Sequence, residues 1–149
     1  MTEPIRLPAD CVLDTNTVLA LWLFEDPALA RLRAAVDGGA LRPLGAEATI
    51  EELRRVLAYP QFQLTPGRQQ GLADAYRGRC RHIDAAGIAP EPLPNCRDPD
   101  DQKFLELAVG AGALLLISRD KALLRLARHR LLRGRLRILR PEAVEAALA

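Results

Sequence analysis

The chain has 149 residues, 49% hydrophobic and 27% charged, which places it among globular proteins and excludes intrinsic disorder. Lys and Arg number 21 against 19 Asp and Glu, a net charge of +2 that excludes a polycationic tail while leaving room for local asymmetry. Aromatics make up only 4%, so the core must be built from Leu, Ala, Val and Ile.

Met1–Asp10 carries Glu3, Pro4, Arg6 and Pro8 and no apolar h-region, so no secretory signal is expected. Cys11-Val12-Leu13 is an apolar run that ends abruptly in Asp14-Thr15-Asn16, the pattern of a buried strand and a polar turn. Thr17–Phe24 and Ala28–Val36 have helical spacing, broken by Asp26-Pro27 and stopped by Gly38-Gly39. The run Leu19–Phe24 is far too short to span a bilayer, so no membrane association is expected. It is apolar on every side, which fits either a fully buried helix or the contact of a homodimer. Leu41–Leu44 reads as a strand weakened by Pro43. Ala46–Leu57 is helical, with Ile50, Leu53 and Leu57 on one stripe, and Pro66–Ala86 is a longer, more polar helix.

Ile88–Pro92 reads as a short strand. Asp98-Pro99 opens a helix carrying Phe104, Leu105 and Ala108, which stops near Gly110–Gly112. Ala113–Ile117 is the clearest strand, followed by Ser118-Arg119-Asp120 and a short helix through Leu123, Leu124 and Ala127. Leu136–Leu139 is an edge strand, and Pro141–Leu148 a last helix. Strands alternating with helices imply a parallel, helix-covered sheet with ligands outside the carboxyl ends of its strands.

Acids cluster at those ends. Asp14 closes the first strand and Asp120 follows the Ala113–Ile117 strand. Asp98, Asp100 and Asp101 open the intervening helix, and Glu51 and Glu52 lie in an apolar-striped one. Carboxylates brought together repel one another unless protonated or neutralised by metal. Oxygen ligands without His or Cys suit Mg²⁺ or Mn²⁺, and a pair of such ions roughly 4 Å apart promotes phosphodiester hydrolysis. The competing reading is capping: Asp98 as N-cap with Pro99 behind it, Ser118 or Asp120 as the next cap, and Thr15 or Asn16 as the first. Asp14 alone has no evident structural task.

Leu13-Asp14-Thr15-Asn16, Glu52-Leu53 ahead of Val56-Leu57, Asp98-Pro99-Asp100-Asp101 ahead of Phe104-Leu105, and Ser118-Arg119-Asp120 ahead of Leu123-Leu124 resemble the PIN domain. The nearest group is the ribonuclease toxins of type II toxin–antitoxin pairs. The resemblance covers about residues 10–140, within one domain spanning 1–149. It implies a three-layer α/β/α fold with a central, mostly parallel sheet. It also implies Mg²⁺ or Mn²⁺, hydrolysis of single-stranded RNA, an antitoxin partner and a homodimer. Carried over by block, the catalytic and metal-binding acids are Asp14, Glu52, Asp101 and Asp120. Asn16 and Ser118 match supporting polar positions, and Asp98 a frequent extra acid. Ser118 stands where Thr is common, and the choice of Glu52 over Glu51 rests on its placement beside the Leu53, Val56, Leu57 stripe.

Nine Lys and Arg lie between Arg119 and Arg140 against one acid, so the remainder is net acidic. A basic segment beside an acidic site suits RNA, with Arg119, Lys121, Arg125 and Arg128 its first contacts; a solvated face or an antitoxin contact is the alternative. His82 and His129 read as surface residues, and Trp22, Phe24 and Phe62 as core or interface. Cys11 and Cys80 read as buried hydrophobes, and Cys96 as an exposed loop thiol. An odd number of cysteines without a CxxC pair points to a reducing, cytoplasmic setting. Two other functions fit parts of the pattern. A phosphatase of the haloacid-dehalogenase type needs a second Asp where Asn16 stands. A metal-free RNA- or protein-binding module would not need the full acidic set.

Overall fold

Cys11-Val12-Leu13 forms the end of strand β1 (Ala9–Leu13), which lies in the middle of a five-stranded sheet. The computed structural model describes residues 4–84, 86, 88 and 92–148. β1 runs parallel to β2 (Leu41–Gly45) on one side and to β4 (Leu115–Ile117) on the other. β3 (Arg81–His82) and β5 (Arg137–Leu139) complete the order β3-β2-β1-β4-β5, again in parallel.

Alternation along the strands divides the core in two. Cys11, Leu13, Leu115 and Ile117 point into one apolar cluster, and Val12, Leu116 and Ile138 into the other. Helices cover both faces, which is why these strands read as continuous apolar runs. The first cluster takes the buried residues of α1 (Thr15–Val18), α2 (Ala30–Asp37), α3 (Glu47–Leu57), α4 (Pro66–Arg79) and α7 (Pro141–Ala147). The second takes those of α5 (Gln102–Gly110) and α6 (Lys121–Leu124). The result is the expected three-layer α/β/α arrangement.

Several boundaries differ from the sequence reading. The first helix starts at Thr15 because the Asp14 carboxylate accepts from the Thr17 N–H at 2.9 Å; Asp14 itself is the cap, rather than Thr15 or Asn16. After Val18 the helix widens into a π-helical turn, Leu19–Leu23. Leu19, Ala20, Leu21 and Trp22 of this run are buried within the chain, whereas Phe24 is 62% exposed. Trp22 meets the edge of Tyr76 at 5.2 Å and carries Arg33 over its ring at 4.5 Å. α2 ends where Gly39 turns left-handed at φ 85°, a conformation that favours glycine.

Pro43 is tolerated in β2 because β3 pairs only from Leu44 onward, so the outer side of the strand is still unpaired at Pro43. α4 stops at Arg79, short of the expected Ala86, since Cys80 is extended and packs under Gly45. The strand beside β2 is Arg81–His82. Most of the expected Ile88–Pro92 strand, positions 89–91, lies outside the described residues, and Ile88 sits in a bend. Cys96 is buried rather than exposed, and burial pushes its thiol up. Among the described residues no helix is long and apolar enough to cross a membrane.

Candidate metal and nuclease site

The carboxyl ends of β1 and β4 lie side by side, with Leu13 opposite Ile117. Each strand is followed at once by a polar turn and a helix, so Asp14 and Ser118 face one another. The Ser118 hydroxyl donates to Asp14 Oδ2, while its oxygen accepts from the Asp120 N–H at 2.9 Å. Asp120 in turn caps α6, accepting from the Ala122 N–H at 2.7 Å. On the neighbouring segment Asp98 accepts from the Asp100 N–H at 3.0 Å and starts a single 3₁₀ turn, Pro99–Asp101, ahead of α5. Capping and clustering are thus achieved by the same side chains.

These elements open onto a cleft of about 220 Å³ lined by Asp14, Thr15, Asn16, Glu52, Val56, Asp98, Asp101, Phe104 and Asp120. Within it, carboxylate oxygens of Asp98, Asp101 and Asp120 lie within 4.8 Å of one another. Asp14 and Glu52 line the same cleft but stand outside that tight group, held by other partners. Glu52 accepts from the Thr15 hydroxyl at Oε2 and from Lys103 Nζ at 2.6 Å at Oε1. Its neighbour Glu51 is turned outward, beside Arg54 at 3.5 Å. The stripe Ile50, Leu53, Leu57 is buried, which fixes Glu52 rather than Glu51 over the cleft.

The electrostatics differ from acid to acid. Burial raises the Asp14 carboxyl above its ordinary range, opposed by hydrogen bonds from Ser118 and Thr17. Asp101 is pushed up to about 7, first by burial and then by the Asp120 charge and a hydrogen bond with Asp120. Its Oδ2 is buried without a hydrogen-bond partner among the described residues, a costly arrangement for a carboxylate. An oxygen-only set with an orphaned buried oxygen fits a hard divalent cation such as Mg²⁺ or Mn²⁺.

The four basic residues expected to meet RNA are not equivalent. Arg119 lies 2.7 Å from Glu142 and 3.6 Å from Asp26, so its guanidinium is engaged by two acids. Lys121, Arg125 and Arg128 are exposed on and just after α6. Two residues at the site were given no role in the sequence reading. Thr15, which lines the cleft, appeared as a possible cap and as part of the Asp14-Thr15-Asn16 block, and Lys103, which pairs with Glu52 from beside the cleft, did not appear at all. A lysine in the first turn of a helix, where the dipole disfavours positive charge, is the cue that could have found it.

The model of the PIN domain family matches residues 10–122, and the chain belongs to that family of nucleases. Compared with curated protein sequences, the chain has no match. Among solved structures it is similar to PAE2754 from Pyrobaculum aerophilum, with a TM-score of 0.58 and 14% identity, over 95% of this chain and 90% of that one. It is also similar to VapBC2 from Rickettsia felis bound to a DNA fragment from their promoter, with a TM-score of 0.56 and 13% identity, over 88% and 98% of the two chains. At such identities the likeness is one of fold.

Proposed function

We propose that the protein is a Mg²⁺- or Mn²⁺-dependent endoribonuclease that hydrolyses single-stranded RNA, acting as one catalytic domain over 1–149. The observation that carries this reading is the gathering of Asp98, Asp101 and Asp120 oxygens within 4.8 Å, one buried oxygen of Asp101 having no hydrogen-bond partner. Asp101, Asp120 and Asp98 would hold the ion, with Asp14 behind them and Glu52 at the far wall. Bound there, a divalent ion supplies charge neutralisation at the scissile phosphate and a more acidic water. The chain's own groups do the rest. Ser118 fixes Asp14 and the Asp120 backbone as a unit, the Asp120 cap holds its carboxylate rigidly, and Lys121, Arg125 and Arg128 bind flanking phosphates.

The toxin role is supported by family membership and by fold likeness to a chain of the VapBC2 complex, so an antitoxin is the expected protein partner. A homodimer is also proposed. Of the run Leu19–Phe24, the residue left exposed for it is Phe24, whose ring lies 6.1 Å from that of Phe62, and light scattering tests the mass. Three free cysteines suit a cytoplasmic setting.

The test is cleavage of unstructured RNA in Mn²⁺ by wild type and by Asp101→Asn, with EDTA as control. Removing one ligand charge lowers the rate by about a thousandfold, several kcal/mol of transition-state stabilisation. Activity that survives EDTA, or equal rates for the two chains, rejects the proposal.

A further inference from the structure

Lys103 is the least expected group beside the cleft: it does not line it, but it pairs with Glu52, which does. It stands in the first turn of α5, where the helix dipole disfavours a cation, two residues beyond Asp101. Its Nζ lies 2.6 Å from Glu52 Oε1, and the two side chains are 23% and 12% exposed. The Arg55 guanidinium approaches the same oxygen at 3.9 Å. The other oxygen of Glu52 is taken by the Thr15 hydroxyl. Lys103 also lies 5.8 Å from the centre of the Phe104 ring, which lines the cleft. A half-buried ammonium at this distance makes a strong, charge-assisted hydrogen bond. The cleft is therefore divided. One wall, Asp98, Asp101 and Asp120, is an anionic group with an unpartnered oxygen, and the other wall is already neutralised.

From this division we infer that Lys103 is a positioning residue that holds Glu52 as an internal ion pair and so limits the site to one divalent ion until nucleic acid binds. The inference rests on the metal-dependent reading above. A second ion at Glu52 would have to sit within a few Å of the ammonium and displace it. Mg²⁺ loses its water reluctantly, and for Mg²⁺ and Mn²⁺ alike the positive charges of ion and ammonium repel across a half-buried site. A phosphodiester entering the cleft offers Lys103 an alternative anion, which releases Glu52. The junction of the 3₁₀ turn and α5 thus contributes a charge of each sign, Asp101 to the first wall and Lys103 to the second.

The experiment counts Mn²⁺ ions bound per chain by electron paramagnetic resonance, without nucleic acid. Wild type, Lys103→Met, Lys103→Arg and Glu52→Gln are compared, with melting curves to establish folding. Wild type binds one ion. Lys103→Met binds a second, at least about tenfold tighter than any second ion in wild type, and Lys103→Arg keeps the count at one. Glu52→Gln still binds the first ion, because Glu52 stands outside the group that holds it, and loss of that ion counts against the inference even where Lys103→Met fails to fold. Equal counts and affinities in wild type and Lys103→Met, two ions in wild type, or loss of the first ion in Glu52→Gln overturn the role of Lys103 while leaving the metal cleft standing. No Mn²⁺ bound by any of the chains overturns both.

Discussion

Asp14 and Asp101 are acids of one cleft, and both carboxyls are shifted upward, yet they are built in opposite ways. Asp14 is 4% exposed with a bond to each oxygen, capping α1 and accepting from Ser118. Asp101 is half-buried beside Asp98 and Asp120, with one oxygen that has no hydrogen-bond partner among the described residues. An acid with both oxygens bonded is part of the framework that fixes the ends of β1 and β4. An acid left short of partners is held ready for something the chain does not itself supply. Burial and hydrogen bonding both separate these two cases, and the hydrogen bonds say which acid is short of partners.

The largest effect that would break this contrast is on stability. Asp14→Ala removes a cap and leaves the Ser118 hydroxyl and the Thr17 N–H without their acceptor, which costs about 2–3 kcal/mol in urea unfolding. Asp14→Asn keeps a capping oxygen, and its cost stays near 1 kcal/mol or below. Asp101→Ala has the opposite sign in the absence of metal, because it removes a buried oxygen without a partner. Destabilisation by both alanines would erase the distinction.

A second effect is the response to pH. The Asp101 carboxyl has an ordinary value of 3.8 and is pushed up to about 7 in the fold. Its protonated form therefore contributes stability that is fully present below 3.8 and is lost as the pH rises through about 7. In EDTA, melting temperatures compared between pH 5 and pH 8 fall for wild type by more than for Asp101→Asn. Mg²⁺ restores the loss at pH 8 by binding the ionised form. Equal slopes for the two chains would mean that Asp101 is not strained in the metal-free fold.

The smallest effects lie on the basic face. Arg119 is spent on Glu142 and Asp26, so Arg119→Ala changes stability by no more than about 1 kcal/mol and leaves the salt dependence of RNA binding nearly unchanged. Arg125→Ala and Arg128→Ala each reduce the slope of log K against log salt by about one. Filter binding with an inactive chain measures both. A larger change at Arg119 than at Arg125 would reverse the order.

What could be read from the residues followed from periodicity and spacing. The five-residue apolar run Ala113–Ile117 and the triplet Cys11–Leu13 mark β4 and β1 because strands buried on both faces leave no polar alternation to confuse. The stripe Ile50, Leu53, Leu57 orients α3, and with it Glu52. β3 was hidden because two exposed residues, Arg81 and His82, pair through backbone groups alone. The cap at Asp14 was misread because an acid after an apolar triplet looks functional. Here it serves structure as well. The Lys103–Glu52 pair was out of reach, since 51 residues separate partners that only α3–α5 packing joins.

The neighbours of β1 set when the cleft comes into being during synthesis. β1 and β2 are close in the chain, but β4, which completes the pairing of β1, arrives much later. The Thr17 hydroxyl reaches the Ile117 carbonyl across 100 residues, and Ser118 reaches Asp14 across 104. Contacts of such sequence separation form slowly and late, after the large loop between them has closed. A ribosome that has made the chain as far as α5 carries Asp14, Glu52, Asp98 and Asp101 with no β4 to bring the ends together. The carboxylates of the cleft are therefore not gathered until the region of Ser118 and Asp120 has emerged.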